Sequence, residues 1–188
     1  LVAALAELGG VPLSRELRLT LRSEVLATYR KIRKLNRRCP GIAEEMRKAE
    51  HALNAEGAPL AGGVGRMDSE QVFRTTIAAL DCLISALGRG GTLQPIPADV
   101  RAIFRRELGE RRAEAMSRYH LVEAKHHDGR GNTTRARTHL MALVQVLRQR
   151  GPSTDFVREL YAEAESALSG LNERQLNSDT VVCDADAA

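Results

Sequence analysis

The sequence predicts an all-α protein of about six helices, packed as antiparallel hairpins in a helical bundle or a short helical-repeat-like array. Three observations carry that prediction. Apolar residues return every three or four positions along most of the chain, the period of one helix face. No segment alternates apolar and polar β-branched residues between turns, and Val181–Val182 is too short to count as a strand. The stripes are separated mostly by short breaks containing Gly or Pro, which favour antiparallel neighbours.

The first helix is expected from Ser14, a suitable N-cap, to about Arg38. Leu17, Leu21, Val25, Tyr29, Ile32 and Leu35 form its stripe, and Cys39–Gly41 ends it, because proline cannot continue a helix. A shorter second helix follows with Ile42, Met46, Ala49 and Leu53 on one face. Gly57–Met67 is the one long loop. Asp68 then begins a capping-box pattern that Gln71 completes. Phe73, Ile77, Leu80, Ile84 and Leu87 make the third helix, with Gly88 as its terminator. After the linker over 88–96, Pro97 suits the first turn of a fourth helix through Val100, Phe104, Leu108, Ala115, Tyr119 and Val122. That helix either continues to about His127 or is interrupted near Gly109. Thr133 or Thr134 caps a fifth helix with Ala136, Leu140, Leu143, Val144 and Leu147 on its face. Arg150–Ser153 stops it and caps a sixth, which holds Phe156, Leu160, Ala164, Ala167 and Leu171. The expected organisation is a lead segment over 1–13, a single helical domain over 14–171 and an acidic, loosely ordered tail over 172–188.

The chain has 188 residues, enough for one domain with a real core, and its 43% hydrophobic and 28% charged content is that of a globular protein. Only 3% is aromatic and there is no Trp, so Leu, Ala, Val and Ile must fill the interior. No apolar run reaches the roughly 18–20 residues that cross a bilayer. The chain opens on Leu1 and not on Met, which leaves a preceding segment, anchor or signal open. Cys39, Cys82 and Cys183 form no C-x-x-C and indicate neither a zinc knuckle nor a disulfide framework; a reducing cytoplasm is the default. Cys82 suits a buried helical position.

The net charge of +4 conceals segregation: 14–38 sums to +7, 129–152 to +5 and 153–188 to −6. Within the first stretch, Arg30, Arg33, Lys34, Arg37 and Arg38 lie on one helix face opposite Leu21, Val25, Tyr29 and Ile32. Such a cationic stripe suits an acidic protein segment, nucleic-acid phosphates or an acidic membrane surface. Glu44, Glu45, Glu50 and Glu56, or the acidic C-terminal segment, could instead neutralise it from within. Arg130, Arg135 and Arg137 form a second patch, where the N-terminus of the fifth helix could also hold an anion.

Tyr119–Val144 gathers four of the five histidines. His120, Glu123 and His127 can share one helix face, and Glu123–His126 is a Glu-x-x-His. A di-iron bundle needs two such motifs and further carboxylates, and no second copy exists, nor any H-E-x-x-H or H-x-x-E-H. A polar helix end, where His complements the dipole, is therefore the preferred reading, and a metal centre ranks third among functions. Asn132–Thr134 matches a glycosylation sequon, coincidental at a helix cap. The segment "GGVGRM" lacks the third glycine of a dinucleotide loop and the Lys-Ser/Thr of a phosphate loop, and there is no G-x-S-x-G. No catalytic residue, cofactor or metal is assigned from the sequence.

Ala124, Gly131, Ala136 and Leu140 repeat the spacing of small and large residues in a helical corner, and over 119–152 the chain resembles a tetratricopeptide hairpin. The resemblance implies two closely packed antiparallel helices and an interaction surface without chemistry. Leu143 departs from it where the family has a small residue, as do His120 and Glu123 at usually apolar positions and Pro152, which comes late. No second copy appears near a 34-residue period. The function expected is a non-enzymatic adaptor or scaffold that binds a protein partner, with nucleic acid as the alternative.

Overall fold

The structure, a computed structural model, describes residues 1–55, 57, 62–67, 69–88 and 92–185, with side chains to residue 175. Among the described residues there are seven helices and no strand: α1 Val2–Glu7, α2 Arg15–Leu35, α3 Ile42–Asn54, α4 Glu70–Gly88, α5 Ala98–Gly129, α6 Thr133–Arg150 and α7 Asp155–Ala185. The all-helical expectation is met. The residues group into two compact units, Leu1–Gly65 with Arg74–Arg112, and Arg66–Phe73 with Ala113–Ala188.

In the first unit, α2 and α3 form an antiparallel hairpin, and Leu17, Leu21 and Val25 of the predicted stripe are buried. Ser14 caps α2 as expected, its hydroxyl accepting from Leu17 N at 3.3 Å. The same hydroxyl donates to Glu107 Oε2 at 2.7 Å, so a cap residue also ties two distant segments. In the lead segment over 1–13, Ala4, Leu8, Val11 and Leu13 are buried around the short helix α1. The linker before α5 is anchored too. Buried Glu24 accepts from the backbone N–H groups of Leu93 and Gln94, the latter at 3.1 Å. Pairing with two donors is what makes a carboxylate tolerable inside.

The capping box expected at Asp68 lies outside the described residues; Ser69 Oγ accepts from Val72 N at 3.2 Å at the start of α4. Thr76, Ala79, Leu80, Leu83 and Leu87 are the buried positions of α4, a face slightly turned from the predicted one. Cys82 is off that face and exposed, contrary to its expected burial. α5 passes Gly109 without a break, and Val122, placed on the apolar stripe by periodicity, is 58% exposed.

In the second unit, Gly131 takes φ +74°, which glycine adopts without strain, and the chain reverses between α5 and α6. Asn132 N donates to His127 O at 2.9 Å, and Gly131 N to Asp128 O at 2.9 Å, closing the end of α5. The cap of α6 is Asn132, whose side chain accepts from Arg135 N at 3.1 Å, and not Thr133 or Thr134. Asn outranks Thr as a cap. Likewise Thr154 Oγ1, rather than Ser153, accepts from Val157 N to start α7. Ala124, Ala136, Leu140 and Leu171 form one buried cluster, joined by Leu121, Ala167 and Leu168. α7 continues to Ala185 where the sequence suggests loose order from Asn172; no Gly or Pro follows Gly170 to stop it.

Gly151, between α6 and α7, is a glycine whose missing Cβ is required by space. A Cβ there would meet Leu147 O at 2.5 Å and Val157 Cγ1 at 2.7 Å. Gly151→Ala is expected to destabilise by about 1–3 kcal/mol through overpacking, although its φ of −71° suits alanine. A urea midpoint equal to wild type would show that the turn relaxes freely.

Candidate functional site

The corner at 129–132 is short, so residues at matched distances on either side of it come together across α5 and α6. Ala124 meets Ala136 in the buried cluster. One turn further out, His120 of α5 faces His139 of α6, their Nδ1 atoms 3.2 Å apart. His127 lies over His139 with ring centroids 5.4 Å apart and planes at 20°. Glu123, one turn before His127 on the same face, places Oε2 3.9 Å from His127 Nε2. Donor atoms of Glu123, His127 and His139 all lie within 4.8 Å of one another. This group is half-buried, the His127 and Glu123 side chains being 17% and 31% exposed.

An aromatic wall backs it. Phe73 and Tyr119 stack with centroids 4.0 Å apart and planes at 6°, and both present their rings edgewise to His120. Burial against this wall, with the His139 ring beside it, pushes His120 down to about 4, so it is neutral at pH 7. His139 is lowered as well, first by burial and then by His127, with Glu123 pulling the other way. Both shifts favour the neutral imidazole, the form of histidine that ligates a divalent ion.

Of the possible metal group His120, Glu123, His126 and His127, the structure brings Glu123 and His127 together with His139 of the next helix, sets His120 against His139, and leaves His126 exposed outside the group. No local motif could reveal His139, because its approach depends on the length of the α5–α6 corner.

The basic residues divide into engaged and open ones. Arg30 bonds Glu50 at 3.2 Å, whereas Glu44 and Glu45 bind Lys48 at 3.0 and 2.9 Å and do nothing for the stripe. Glu56 lies outside the described residues. Among the described residues, Arg33, Lys34, Arg37 and Arg38 have no ion-pair partner, and all four are exposed. Between them Ile32 is 36% and Leu35 79% exposed, so the predicted apolar stripe of α2 runs out of core before the helix ends. The same hairpin borders an open apolar groove of about 500 Å³ lined by Leu5, Leu13, Val25, Tyr29 and Ala49. In the second patch Arg130 and Arg135 are exposed, but Arg137 is turned inward, donating to Asn172 Oδ1 at 2.7 Å and Gln175 Oε1 at 2.9 Å. That patch is thus two arginines and not three. Asn132 also occupies the α6 N-terminus that an anion would need.

Among the described residues, no helix is long and apolar enough to cross a membrane. Compared with protein families, curated proteins and solved structures, the chain finds no match.

Proposed function

We propose that this chain is a non-enzymatic helical interaction module, an adaptor or scaffold, that docks an acidic segment of a partner protein on the α2–α3 hairpin. The observation that supports it is the tip of α2, where Ile32 and Leu35 stand exposed among Arg33, Lys34, Arg37 and Arg38. Four like charges that meet no acid among the described residues repel one another, and two large apolar side chains beside them remain in water. A partner segment with carboxylates spaced between apolar residues offsets both costs at once. The apolar groove reaches Tyr29, about one turn before Ile32 on α2, and offers room for an amphipathic segment. Arg130 and Arg135 are a secondary contact of the same sign. The free thiols of Cys39 and Cys82 suit a cytoplasmic setting.

The alternative, nucleic acid, uses the same arginines on phosphates but gives Ile32 and Leu35 no role. Single-strand binders stack bases on aromatics, and Tyr29, the one aromatic of this helix, is half-buried with its hydroxyl 3.5 Å from Glu45 Oε2. The test uses the full chain and its quadruple variant Arg33→Glu/Lys34→Glu/Arg37→Glu/Arg38→Glu as baits in the native extract. A specific partner is expected to bind the wild type, to weaken at least tenfold with the variant (about 1.4 kcal/mol), and to regain binding when its own acidic segment is made basic. A partner bound equally by both baits overturns the assignment. So does tight, salt-sensitive binding of DNA or RNA at about 50 mM salt, which would move the site to phosphate recognition.

A further inference from the structure

We propose that Glu123, His127 and His139 form a binding site for a divalent transition-metal ion, with zinc the ion it fits best. Their donor atoms already lie within 4.8 Å of one another, on two helices whose short corner holds them in register. A tetrahedral zinc with ligands at about 2.0–2.1 Å needs donor separations of about 3.3 Å. The remaining closure is about 1.5 Å at most. At 3.9 Å, the Glu123–His127 approach is an ion-pair distance too long for a hydrogen bond. Among the described residues, no hydrogen bond of either side chain closes the gap between them. Half-buried groups that face one another without satisfying one another leave a place for an ion that satisfies all three.

The donor set decides the class of ion. Two imidazoles and one carboxylate exclude magnesium and calcium, which take oxygen ligands, and suit zinc, nickel, cobalt or copper. Three protein ligands leave a fourth position to water, consistent with a site that is partly open to solvent. The His139 ring is held between His127, stacked on it, and His120, whose Nδ1 lies 3.2 Å from its own. With a proton on His139 Nδ1 donated to His120 Nδ1, Nε2 of His139 is bare and available as the ligand. Fixing one ring nitrogen by a hydrogen bond is how metal-binding histidines are oriented. His126 is exposed and its donor atoms are outside the group, although its ring lies 5.8 Å from that of His127.

The site is independent of the α2–α3 hairpin, and either assignment can fail without the other. The experiment is calorimetric titration of the tag-free full chain at pH 7.5 with zinc alone and, in parallel, magnesium alone. Glu123→Gln, His127→Gln, His139→Gln and the control His126→Gln are titrated alongside, each checked for native helicity by circular dichroism. Wild type is expected to bind one equivalent of zinc and no magnesium. Each of the three ligand variants should weaken zinc at least tenfold, and His126→Gln should change nothing. Cobalt substitution gives a second readout, visible ligand-field bands of a four-coordinate ion in wild type that disappear in His139→Gln. Absence of zinc binding by wild type overturns the proposal, as does binding that survives His139→Gln or is lost equally in His126→Gln.

Discussion

Leu143→Ala will lower the unfolding free energy by about 2–5 kcal/mol, the cost of emptying a core leucine site. Leu143 is 0% exposed on α6, so the lost methyl groups leave a cavity. The measurement also bears on the likeness to a tetratricopeptide hairpin, which has a small residue at this position. In a hairpin packed that closely, the helices would close on alanine and the loss would fall well short of that range. Chemical denaturation of Leu143→Ala beside Met141→Ala decides between them. Met141 is 55% exposed on the same helix and should shift stability by no more than about 0.5 kcal/mol. A Leu143→Ala protein as stable as its Met141→Ala neighbour would mean that leucine is not a packing element here.

Glu24→Ala will cost about 2–4 kcal/mol, because two backbone N–H groups lose a charged acceptor at once. Leu93 N and Gln94 N both bond the carboxylate, and the side chain is 5% exposed. The expected signature is local as well as global. Amide exchange at Leu93 and Gln94 should rise toward solvent rates while that of the α2 core changes only with overall stability. Glu24→Gln keeps one acceptor oxygen and should lose about half as much. Unchanged exchange at both amides in Glu24→Ala would show that the linker is held by something else.

These two residues also show what the sequence could and could not disclose. The helices themselves were legible, since Leu17, Leu21, Leu80, Leu108 and Leu140 sit at helical spacing and the breaks between stripes carry Gly or Pro. Caps were legible only to within a residue or two: Ser14 was the cap, but Asn132 and Thr154 displaced the neighbours the sequence favoured. Short α1 was hidden because a six-residue helix cannot repeat its own period. Nothing local marks Glu24, a carboxylate whose partners lie 69 and 70 positions away. Exposure of Ile32 and Leu35 was invisible for a related reason, as periodicity reports which face a residue occupies and not where the core ends. The histidine group was half legible: Glu123 and His127 share a helix face in the sequence, and His139 joins them only through the fold.

The tight reversal at Gly131 turns a three-dimensional arrangement into a ruler along the chain. With the corner held to a few residues, Glu123, His127 and His139 stand in the pattern E-x₃-H-x₁₁-H. One residue inserted between His127 and His139 would rotate His139 by about 100° around α6, away from α5, while leaving every ligand present in composition. Homologues that keep the ion should therefore keep the loop length as strictly as the histidines. Those that have lost it can be recognised by a changed spacing alone.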